Sequence, residues 1–216
     1  MRASHSSANW IEDAKRRVAL EAIKHVKNGH VVGLGSGSTA AYVIQELGRL
    51  VHRKKWQVLG VPTSHQAFLL AVNCGIQVTT LEEHHKIDVT IDGADQIDPD
   101  LNMIKGMGGA LAREKIVASA SELEIIVADE TKLAKKLGTN HPVPVEVMPS
   151  AAAVVMSRIR EFGGKPVLRE GTGKVGPVVT DNGNFILDVS MKRIDDPKML
   201  DMKFKCIPGV VETGFF

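Results

Sequence analysis

Short β-prone runs alternate with segments of helical periodicity along the first two thirds of this 216-residue chain. Strands are predicted at HVVGL, WQVLGVP, IQVTT, IDVTID and EIIVADE. Between most of these runs the apolar residues recur at helical spacing, and a further helix is predicted from Ile11 to Lys27, with Asn28-Gly29 as its stop. Such alternation is typical of a parallel sheet covered by helices, so we predict an α/β fold.

The character of the sequence changes around HPVPVEVMP, where three prolines surround a short apolar strand. Prolines interrupt regular structure, so a domain boundary is predicted there. We expect a larger first domain over residues 1–142 and a smaller second domain over residues 143–206, with residues 207–216 returning to the first.

The second domain is predicted to be α+β with an antiparallel sheet. Ser150 can cap a helix that runs to about Phe162, and strands are predicted near 165–169 and 175–180. The Asn182-Gly183 pair, between residues 175–180 and the next β-prone run, is typical of a hairpin turn.

Charge and composition argue against several classes of partner. The net charge is +2 and no run of Lys and Arg is interleaved with aromatic residues, so nucleic acid is not expected as a partner. No apolar run approaches membrane-spanning length, and the first ten residues lack the apolar core of a secretory signal, so no membrane is expected.

Cys74 and Cys206 lie in apolar surroundings and are expected to be buried free thiols. These features predict a cytoplasmic protein.

The run GLGSGSTA, here called the first glycine loop (residues 33–40), joins a predicted strand to a predicted helix. Its glycines and hydroxyl residues are Gly33, Gly35, Gly37, Ser38 and Thr39. The glycines permit a tight turn with exposed N–H groups, and the hydroxyls add donors at a helix N-terminus, where the dipole favours an anion such as phosphate. A P-loop would have a lysine before the Ser/Thr, and a dinucleotide fingerprint would have a glycine at position 38. The alternative is a tight turn in which Ser38 is a simple N-cap.

Acidic residues follow the predicted buried strand in the run DVTIDGADQID. Asp92 and Asp95 come directly after the strand, at the carboxyl edge where open α/β sheets bind ligands, so a functional role is favoured for both. Asp98 and Asp100 flank Pro99 and are interpreted as turn-formers.

The run KGMGGALAREK contains a second glycine loop (residues 105–109) ahead of a helix predicted over residues 109–121. A carboxylate near such a loop can take a proton from carbon, and a lysine or exposed N–H groups can stabilise the oxyanion that results. Glu114 and Lys105 are the candidates for these two roles. The alternative for Arg113-Glu114-Lys115 is a solvated helix face.

The run LEEHHK, residues 81–86, places two histidines and two glutamates in a row. Adjacent side chains point in different directions on a helix or a strand, which is poor geometry for chelation. A solvated connection is favoured here, and no metal site is predicted.

Six blocks, GLGSGSTA, VPTSHQA, DGADQID, KGMGGALAREK, VADETK and VTDNGN, occur in this order across nearly the whole chain. Together they resemble ribose-5-phosphate isomerase of the A type. The resemblance implies a Rossmann-like domain with a smaller α+β domain of ferredoxin-like type. It implies interconversion of D-ribose 5-phosphate and D-ribulose 5-phosphate in the pentose phosphate pathway, with no metal or organic cofactor. A homodimer or homotetramer is expected.

The family's motifs also imply roles for individual residues. Glu114 would be the base that moves a proton between C1 and C2 through an enediolate, and Lys105 would stabilise the developing oxyanion, helped by the N–H groups of Gly106 to Gly108. Asp92 and Asp95 would hold sugar hydroxyls and assist ring opening. The implied substrate-binding residues are Lys15, Ser36, Gly37, Ser38, Thr39, Asp92, Gly93, Ala94, Asp95, Lys105, Gly106, Met107, Gly108 and Lys132.

The sequence departs from the usual family pattern in a few places. Ser36 stands where threonine is usual, Gln96 where glutamate is common, and Met107 where glycine is usual. The first keeps its hydroxyl, and the other two leave the chemistry intact if the second glycine loop contributes mainly its backbone. Relatives normally continue past a GxF-like segment into another strand and a helical turn, whereas this sequence ends at Gly214-Phe215-Phe216.

Two other functional classes are alternatives. A sugar-phosphate sensor of this fold would carry a DNA-binding helix pair and a basic face, and the short polar N-terminal segment offers neither. A nucleotide-dependent dehydrogenase or transferase would need the third loop glycine or an acidic residue after the second strand, where this chain has Thr63-Ser64-His65.

Overall fold

The computed structural model describes residues 4–173 and 175–216. In chain order the regular elements are α1 (Ser4–Ala22), β1 (Val31–Leu34), α2 (Ser38–Lys54), β2 (Leu59–Pro62), α3 (His65–Asn73), β3 (Gln77–Val78), β4 (Val89–Gly93), β5 (Gln96–Ile97), β6 (Met103–Ile104), α4 (Leu111–Ser119), β7 (Glu124–Val127), β8 (Val143–Val147), α5 (Ala152–Glu161), β9 (Gly164–Leu168), β10 (Phe185–Met191), α6 (Pro197–Lys205) and β11 (Val210–Thr213). Short 3-10 turns occupy Ile23–His25, Glu130–Lys132 and Pro149–Ala151.

By their contacts the described residues divide into two compact units. The first unit runs to Gly93 and resumes over Arg113–Thr131, and the second comprises Ala94–Ala112 and Lys132–Phe216. The domain bounds expected from the sequence, at residues 142 and 206, stay a prediction. The contact-based division differs from them because residues 94–112 group with the C-terminal half of the chain.

The first unit is built on a five-stranded parallel sheet with strand order β3-β2-β1-β4-β7. Its central strands are buried along their length, as Val32 and Leu34 of β1 and Val89 and Ile91 of β4 show, because helices cover both faces. The predicted α/β fold is confirmed. The strand order reverses between β1 and β4, which is the kind of position where open α/β sheets bind ligands.

The second unit contains a four-stranded antiparallel sheet with strand order β11-β8-β10-β9. The elements follow one another as β8, α5, β9, β10, α6 and β11, which is the βαββαβ order of a ferredoxin-like domain. Every residue of β8 is buried. The predicted antiparallel α+β character is confirmed.

Two local predictions for the second unit are wrong. Residues 175–180 form no strand and make only isolated bridges, Glu170 with Pro177 and Val179 with Phe185. Ser150 lies inside a 3-10 turn, and the N-cap of α5 is Ala151, without a side-chain cap. Proline is favoured at the first position of a helical turn, and Pro149 begins this 3-10 turn. The α-helix therefore starts after Ser150.

The cysteines also differ from expectation. Cys206, at the C-cap of α6, is exposed rather than buried. Cys74 is partly buried, and this burial raises the pKa of its thiol. A raised pKa lowers the fraction of Cys74 present as thiolate, which is the reactive form of a cysteine.

The C-terminal segment lies in the second unit. Residues of β11 pair with β8, and Phe215 then bridges to Ile104. The N–H of Met103 donates to the carbonyl of Phe216 at 2.8 Å. Residues 207–216, expected to return to the first domain, therefore join both the antiparallel sheet and the β6 strand.

Within the described residues, no helix is long and apolar enough to cross a membrane.

Helix α6 was not predicted, and its packing gives a direct test of the second unit. Phe204 is fully buried, with its ring centroid 6.2 Å from that of Phe162. We expect Phe204→Ala to lower the free energy of unfolding by about 3–5 kcal/mol, because it leaves a cavity. Met202→Ala on the exposed face of the same helix should change it by less than about 0.5 kcal/mol. Urea unfolding followed by circular dichroism measures both, and equal effects would contradict the burial of Phe204.

Candidate active site

The first glycine loop leaves β1 beside β4 in the first unit. The N–H of Gly35 donates to the carbonyl of Ile91 at 3.0 Å. A Cβ added to Gly35 would lie 2.1 Å from Asp92 Oδ1, so only glycine fits beside that carboxylate. Gly37 has a φ of 94°, a conformation that residues with a side chain rarely adopt. Glycine is therefore required at position 35 by the close approach of Asp92 and at position 37 by the backbone conformation.

The turn of this loop is anchored by residues at the ends of neighbouring strands. The N–H of Ser36 donates to Asp92 Oδ1 at 3.1 Å, and its hydroxyl lies 2.7 Å from that of Thr63. The Ser36 hydroxyl also contacts Ser64, whose Oγ caps α3. The N–H of Gly37 donates to Gln66 Oε1 at 3.0 Å. These contacts fix the loop before any ligand binds.

The loop leads directly into the N-terminus of α2. The N-cap is Gly37, with no side-chain cap, so the alternative in which Ser38 is a simple N-cap is wrong. Ser38 is the first helical residue and is exposed, and Thr39 is partly buried. The first N–H groups of a helix have no intrahelical acceptor, and the helix dipole favours negative charge there. This end of α2 has the chemistry of an anion site.

Asp92 is 1% exposed and lies at the end of β4. Its Oδ1 accepts the N–H of Ser36 and, at 2.7 Å, that of Gly93. The carboxylate that was singled out from the sequence is thus part of the structure that holds the first glycine loop.

Lys15 on α1 is tied to α2 through Glu12. Lys15 Nζ lies 3.0 Å from Glu12 Oε1, and the Tyr42 hydroxyl donates to Glu12 Oε2. The hydrogen bond from Tyr42, and then that from Lys15, hold the pKa of the Glu12 carboxyl below its usual value. Tyr42 lies one helical turn beyond Ser38, on the same side of α2. These contacts join α1 to α2 through Glu12, while Lys15 pairs with Glu12 on its own helix.

Glu114 lies in the first turn of α4 and is 5% exposed. The alternative that this carboxylate belongs to a solvated helix face is therefore wrong. Its neighbours Arg113 and Lys115 are only partly buried. Burial on α4 restricts the positions open to the Glu114 carboxylate, and a general base needs a well-defined position.

Asp95 and the second glycine loop are joined in the second unit. The N–H of Asp95 donates to the carbonyl of Ile104 at 2.9 Å, and Asp95 Oδ2 accepts the N–H of Met107 at 2.9 Å. Two of the motifs selected from the sequence, DGAD and KGMGG, thus meet directly. Ala94 begins this segment as the first residue of the second unit.

Lys105 is 1% exposed, and its Nζ lies 5.1 Å from the centroid of the Phe216 ring. A cation over an aromatic face is favourable, and more so when it is shielded from water. The N–H of Lys105 donates to the carbonyl of Gly214 at 2.9 Å. Lys132 lies at the end of a 3-10 turn and is partly buried.

Several residues around these loops were not singled out from the sequence. Thr63, Ser64 and Gln66 surround the first glycine loop, and their position after the second parallel strand was the available signal. Arg169 contacts both the second glycine loop and Asp188. Neither residue lies in a motif that was singled out from the sequence.

The remaining acidic and histidine clusters are structural or solvated. Asp98 accepts the N–H groups of Asp100 and Asn102, as expected for a turn-former. In the 81–86 segment, Glu83 and His84 contact the hydroxyl of Thr79. Among the residues that the structure describes, no group of three His, Cys, Asp or Glu side chains could hold a metal ion.

One family model and the two relatives named below share one description. The family model for ribose 5-phosphate isomerase A (phosphoriboisomerase A) matches residues 59–216. The ribose-5-phosphate isomerase A of Methanothermobacter thermautotrophicus is 50% identical over 202 residues, which cover 94% of this chain and 88% of the relative. That of Thermosynechococcus vestitus is 51% identical over 211 residues, which cover 97% of this chain and 89% of the relative.

Two solved structures of ribose 5-phosphate isomerases have the same fold as this chain. Ribose 5-phosphate isomerase A from Methanocaldococcus jannaschii superposes with a TM-score of 0.93 at 48% identity, covering 95% of this chain and 91% of that chain. A D-ribose-5-phosphate isomerase in complex with phospho-erythronic acid also gives 0.93, at 45% identity, covering 95% of this chain and 90% of that one. With half of its residues identical over nearly its whole length, this chain belongs to the ribose 5-phosphate isomerase A family.

Proposed function

We propose that this chain interconverts D-ribose 5-phosphate and D-ribulose 5-phosphate through an enediolate, with Glu114 as the general base. The observation that carries the proposal is the near-complete match to relatives described as ribose-5-phosphate isomerase A, such as the one from Thermosynechococcus vestitus. The 45% identical structure holds phospho-erythronic acid, which combines a phosphate with a carboxylate. A site of this family thus accepts a phosphorylated four-carbon acid.

The substrate phosphate is proposed to bind at the N-terminus of α2. Backbone N–H groups, the hydroxyls of Ser36, Ser38 and Thr39, and the helix dipole all favour an anion there. Lys15, which pairs with Glu12 on α1, is proposed to contribute positive charge at the same anion. Lys132 is proposed to contribute positive charge to the same group.

The proton transfer is proposed to run through Glu114. In the open-chain aldose the base removes the proton from C2, its electron pair forms the C1–C2 double bond, and the π pair of the C1 carbonyl moves onto O1 to give the enediolate. The hydroxyl proton of O2 then passes to O1, O2 forms the C2 carbonyl, and the electron pair of the C1–C2 double bond takes the proton back at C1 of the ketose. Lys105 and the N–H of Gly108 are proposed to stabilise the oxygen that gains charge, since fixed donors act most strongly where water is excluded.

Asp92 and Asp95 are proposed to hold sugar hydroxyls and to assist opening of the ring, with Gly93 and Ala94 lining the same turn. Both carboxylates are oriented by backbone N–H groups, from Ser36 and Gly93 for Asp92 and from Met107 for Asp95. A carboxylate held in this way presents its remaining acceptor sites in a fixed direction.

The setting of the enzyme follows from the same proposal. We propose that it acts in the pentose phosphate pathway of the cytoplasm, as a homodimer or homotetramer. Its partner is the small-molecule pentose phosphate, without a metal or organic cofactor.

Isomerisation is expected to proceed undiminished in excess EDTA, because the proposed charge stabilisation comes from Lys105 and backbone N–H groups. Ketose formation from ribose 5-phosphate, measured with and without the chelator, checks this. Activity that disappears with EDTA and returns with a divalent cation would contradict the proposed chemistry.

The double variant Ser38→Ala, Thr39→Ala is expected to raise KM for ribose 5-phosphate roughly 10²-fold to 10⁴-fold. Each lost hydrogen bond to a charged group contributes about 1.5–3 kcal/mol, while the backbone donors remain. Ser157→Ala, an exposed hydroxyl on α5, is the matched control and should leave KM unchanged. Free ribose should be a very poor substrate of the wild type, and a kcat/KM comparable to that for ribose 5-phosphate would refute phosphate recognition.

Glu114→Gln is expected to keep the fold and substrate binding but to lose turnover by at least ~10²–10⁴-fold. Glutamine preserves size and hydrogen bonding while it removes the proton acceptor, and a positioned base contributes a factor of this order. Glu122→Gln, an exposed site just beyond α4, is the control.

Exchange of the substrate C2 proton with deuterated solvent separates Glu114 from the other candidate bases. It should be lost in Glu114→Gln and retained, at reduced rate, in Asp92→Asn and Asp95→Asn. Exchange that survives in Glu114→Gln and disappears in one of the aspartate variants would assign the base to that aspartate.

A further inference from the structure

We propose that Arg169, oriented by Asp188, is a positioning residue that fixes the peptide groups of the second glycine loop for catalysis. The inference rests on the proposed function, in which that loop stabilises the enediolate. Arg169 lies directly after β9, and Asp188 lies in the middle of β10. Both belong to the second unit, as residues 105–109 do.

The guanidinium of Arg169 contacts the loop and Asp188 at the same time. Its Nη1 donates to the carbonyl oxygens of Gly106 at 3.1 Å and of Met107 at 2.9 Å. Its Nε donates to Asp188 Oδ2 at 2.8 Å, and its Nη2 donates to the other oxygen of that carboxylate. A two-point pairing between guanidinium and carboxylate fixes the guanidinium plane, so the loop carbonyls meet a rigid donor.

Holding these two carbonyls also sets the direction of two N–H groups. A peptide unit is planar and trans, so its N–H points opposite to its C=O. The carbonyl of Gly106 shares a peptide with the N–H of Met107, and this N–H donates to Asp95 Oδ2 at 2.9 Å. The carbonyl of Met107 shares a peptide with the N–H of Gly108, which is directed away from Arg169 in the same way. Arg169 therefore supports Asp95 and aims the proposed oxyanion donor.

The backbone of Arg169 is itself held on both sides. Its N–H donates to the carbonyl of Ile186 at 2.9 Å, and its carbonyl accepts the N–H of Val178 at 2.8 Å. A group that positions a reacting loop must have its own geometry fixed in this way.

Burial and side-chain chemistry favour a positioning role over a purely stabilising one. The side chains of Arg169 and Asp188 are 12% and 23% exposed, so desolvation offsets much of the attraction between their charges. Arginine is required, because three guanidinium nitrogens act at once on two carbonyls and one carboxylate. The single ammonium of a lysine cannot reproduce that pattern.

The test compares Arg169→Met, which keeps side-chain length and removes every donor, with the wild-type enzyme. We expect kcat on ribose 5-phosphate to fall about 10²-fold, because a small misplacement of catalytic groups costs about that much. KM should change less than about threefold, since the lost interaction acts mainly on the transition state. Phospho-erythronic acid carries a planar carboxylate that stands in for the enediolate oxygens, so its inhibition constant should rise by a factor comparable to the fall in kcat.

Three further variants separate positioning from general damage. Asp188→Asn should give a smaller change in the same direction, and Arg169→Lys should recover part of the turnover lost in Arg169→Met. Arg158→Met, an arginine on α5 whose side chain is 60% exposed, is the control and should match the wild type.

The outcomes distinguish the two proposals. A wild-type protein with no activity on ribose 5-phosphate refutes the proposed function itself. An active wild type combined with wild-type kcat in Arg169→Met, or with a change confined to KM, refutes the positioning role alone. If circular dichroism shows that Arg169→Met does not fold, Asp188→Asn decides, and wild-type kcat and inhibition in that folded variant would overturn the inference.

Discussion

The parallel register between β1 and β4 is the constraint on which the site of the first unit depends. Leu34 lies opposite Ile91, so the next residues, Gly35 just after β1 and Asp92 near the end of β4, lie side by side. The space between them is so small that a Cβ at Gly35 would lie 2.1 Å from Asp92 Oδ1. The glycine of one motif and the aspartate of another, far apart in sequence, are therefore one structural requirement. The carboxylate then holds the Ser36 N–H, which sets the start of α2.

In the second unit the antiparallel sheet holds the second glycine loop in place. A Cβ at Gly109 would lie 3.3 Å from Ile186 Cδ1, and one at Gly214 would lie 2.4 Å from the carbonyl oxygen of Lys105. The loop is thus packed on β10 and on the C-terminal segment, while Arg169 holds its carbonyls. This explains why residues 94–112 share a compact unit with the sheet, although the sequence order places them next to β4.

The α/β fold and the sequence of strands and helices along the chain could be predicted, because the spacing of apolar residues in each strand and helix is a local property. The first glycine loop and Asp92 were singled out from their positions at the ends of strands, where open sheets bind ligands. The second glycine loop was singled out from its glycine cluster between Lys105 and Glu114. The identity of the α2 cap was missed, because Gly37 caps by conformation and leaves no side-chain signal. Residues 175–180 have strand composition but make only isolated bridges, so propensity was overridden by tertiary context.

Long-range contacts account for what the sequence could not show. Arg169 acts on carbonyls more than sixty residues away, and neither its neighbours nor its spacing indicate this. The buried Glu146 is similar, since its Oε1 accepts hydrogen bonds from Thr180, Asn182 and Asn184 and so organises the turn that begins β10. The VTDNGN block therefore stabilises the turn that leads into β10, the strand that carries Asp188.

The same contacts explain how the family departures are accommodated. Met107 contributes its N–H and its carbonyl to the network, and its side chain is 39% exposed, so a methionine in place of the usual glycine leaves the peptide groups in use. Gln96 donates to the carbonyl of Thr139 and accepts the N–H of Gly138, a pair of bonds that an amide makes and an ionised carboxylate cannot. Ser36 uses only its N–H and its hydroxyl, which threonine shares. A site assembled from peptide groups tolerates changes of side chain wherever the residues that orient those peptides are kept, and in the second glycine loop the orienting residue is Arg169.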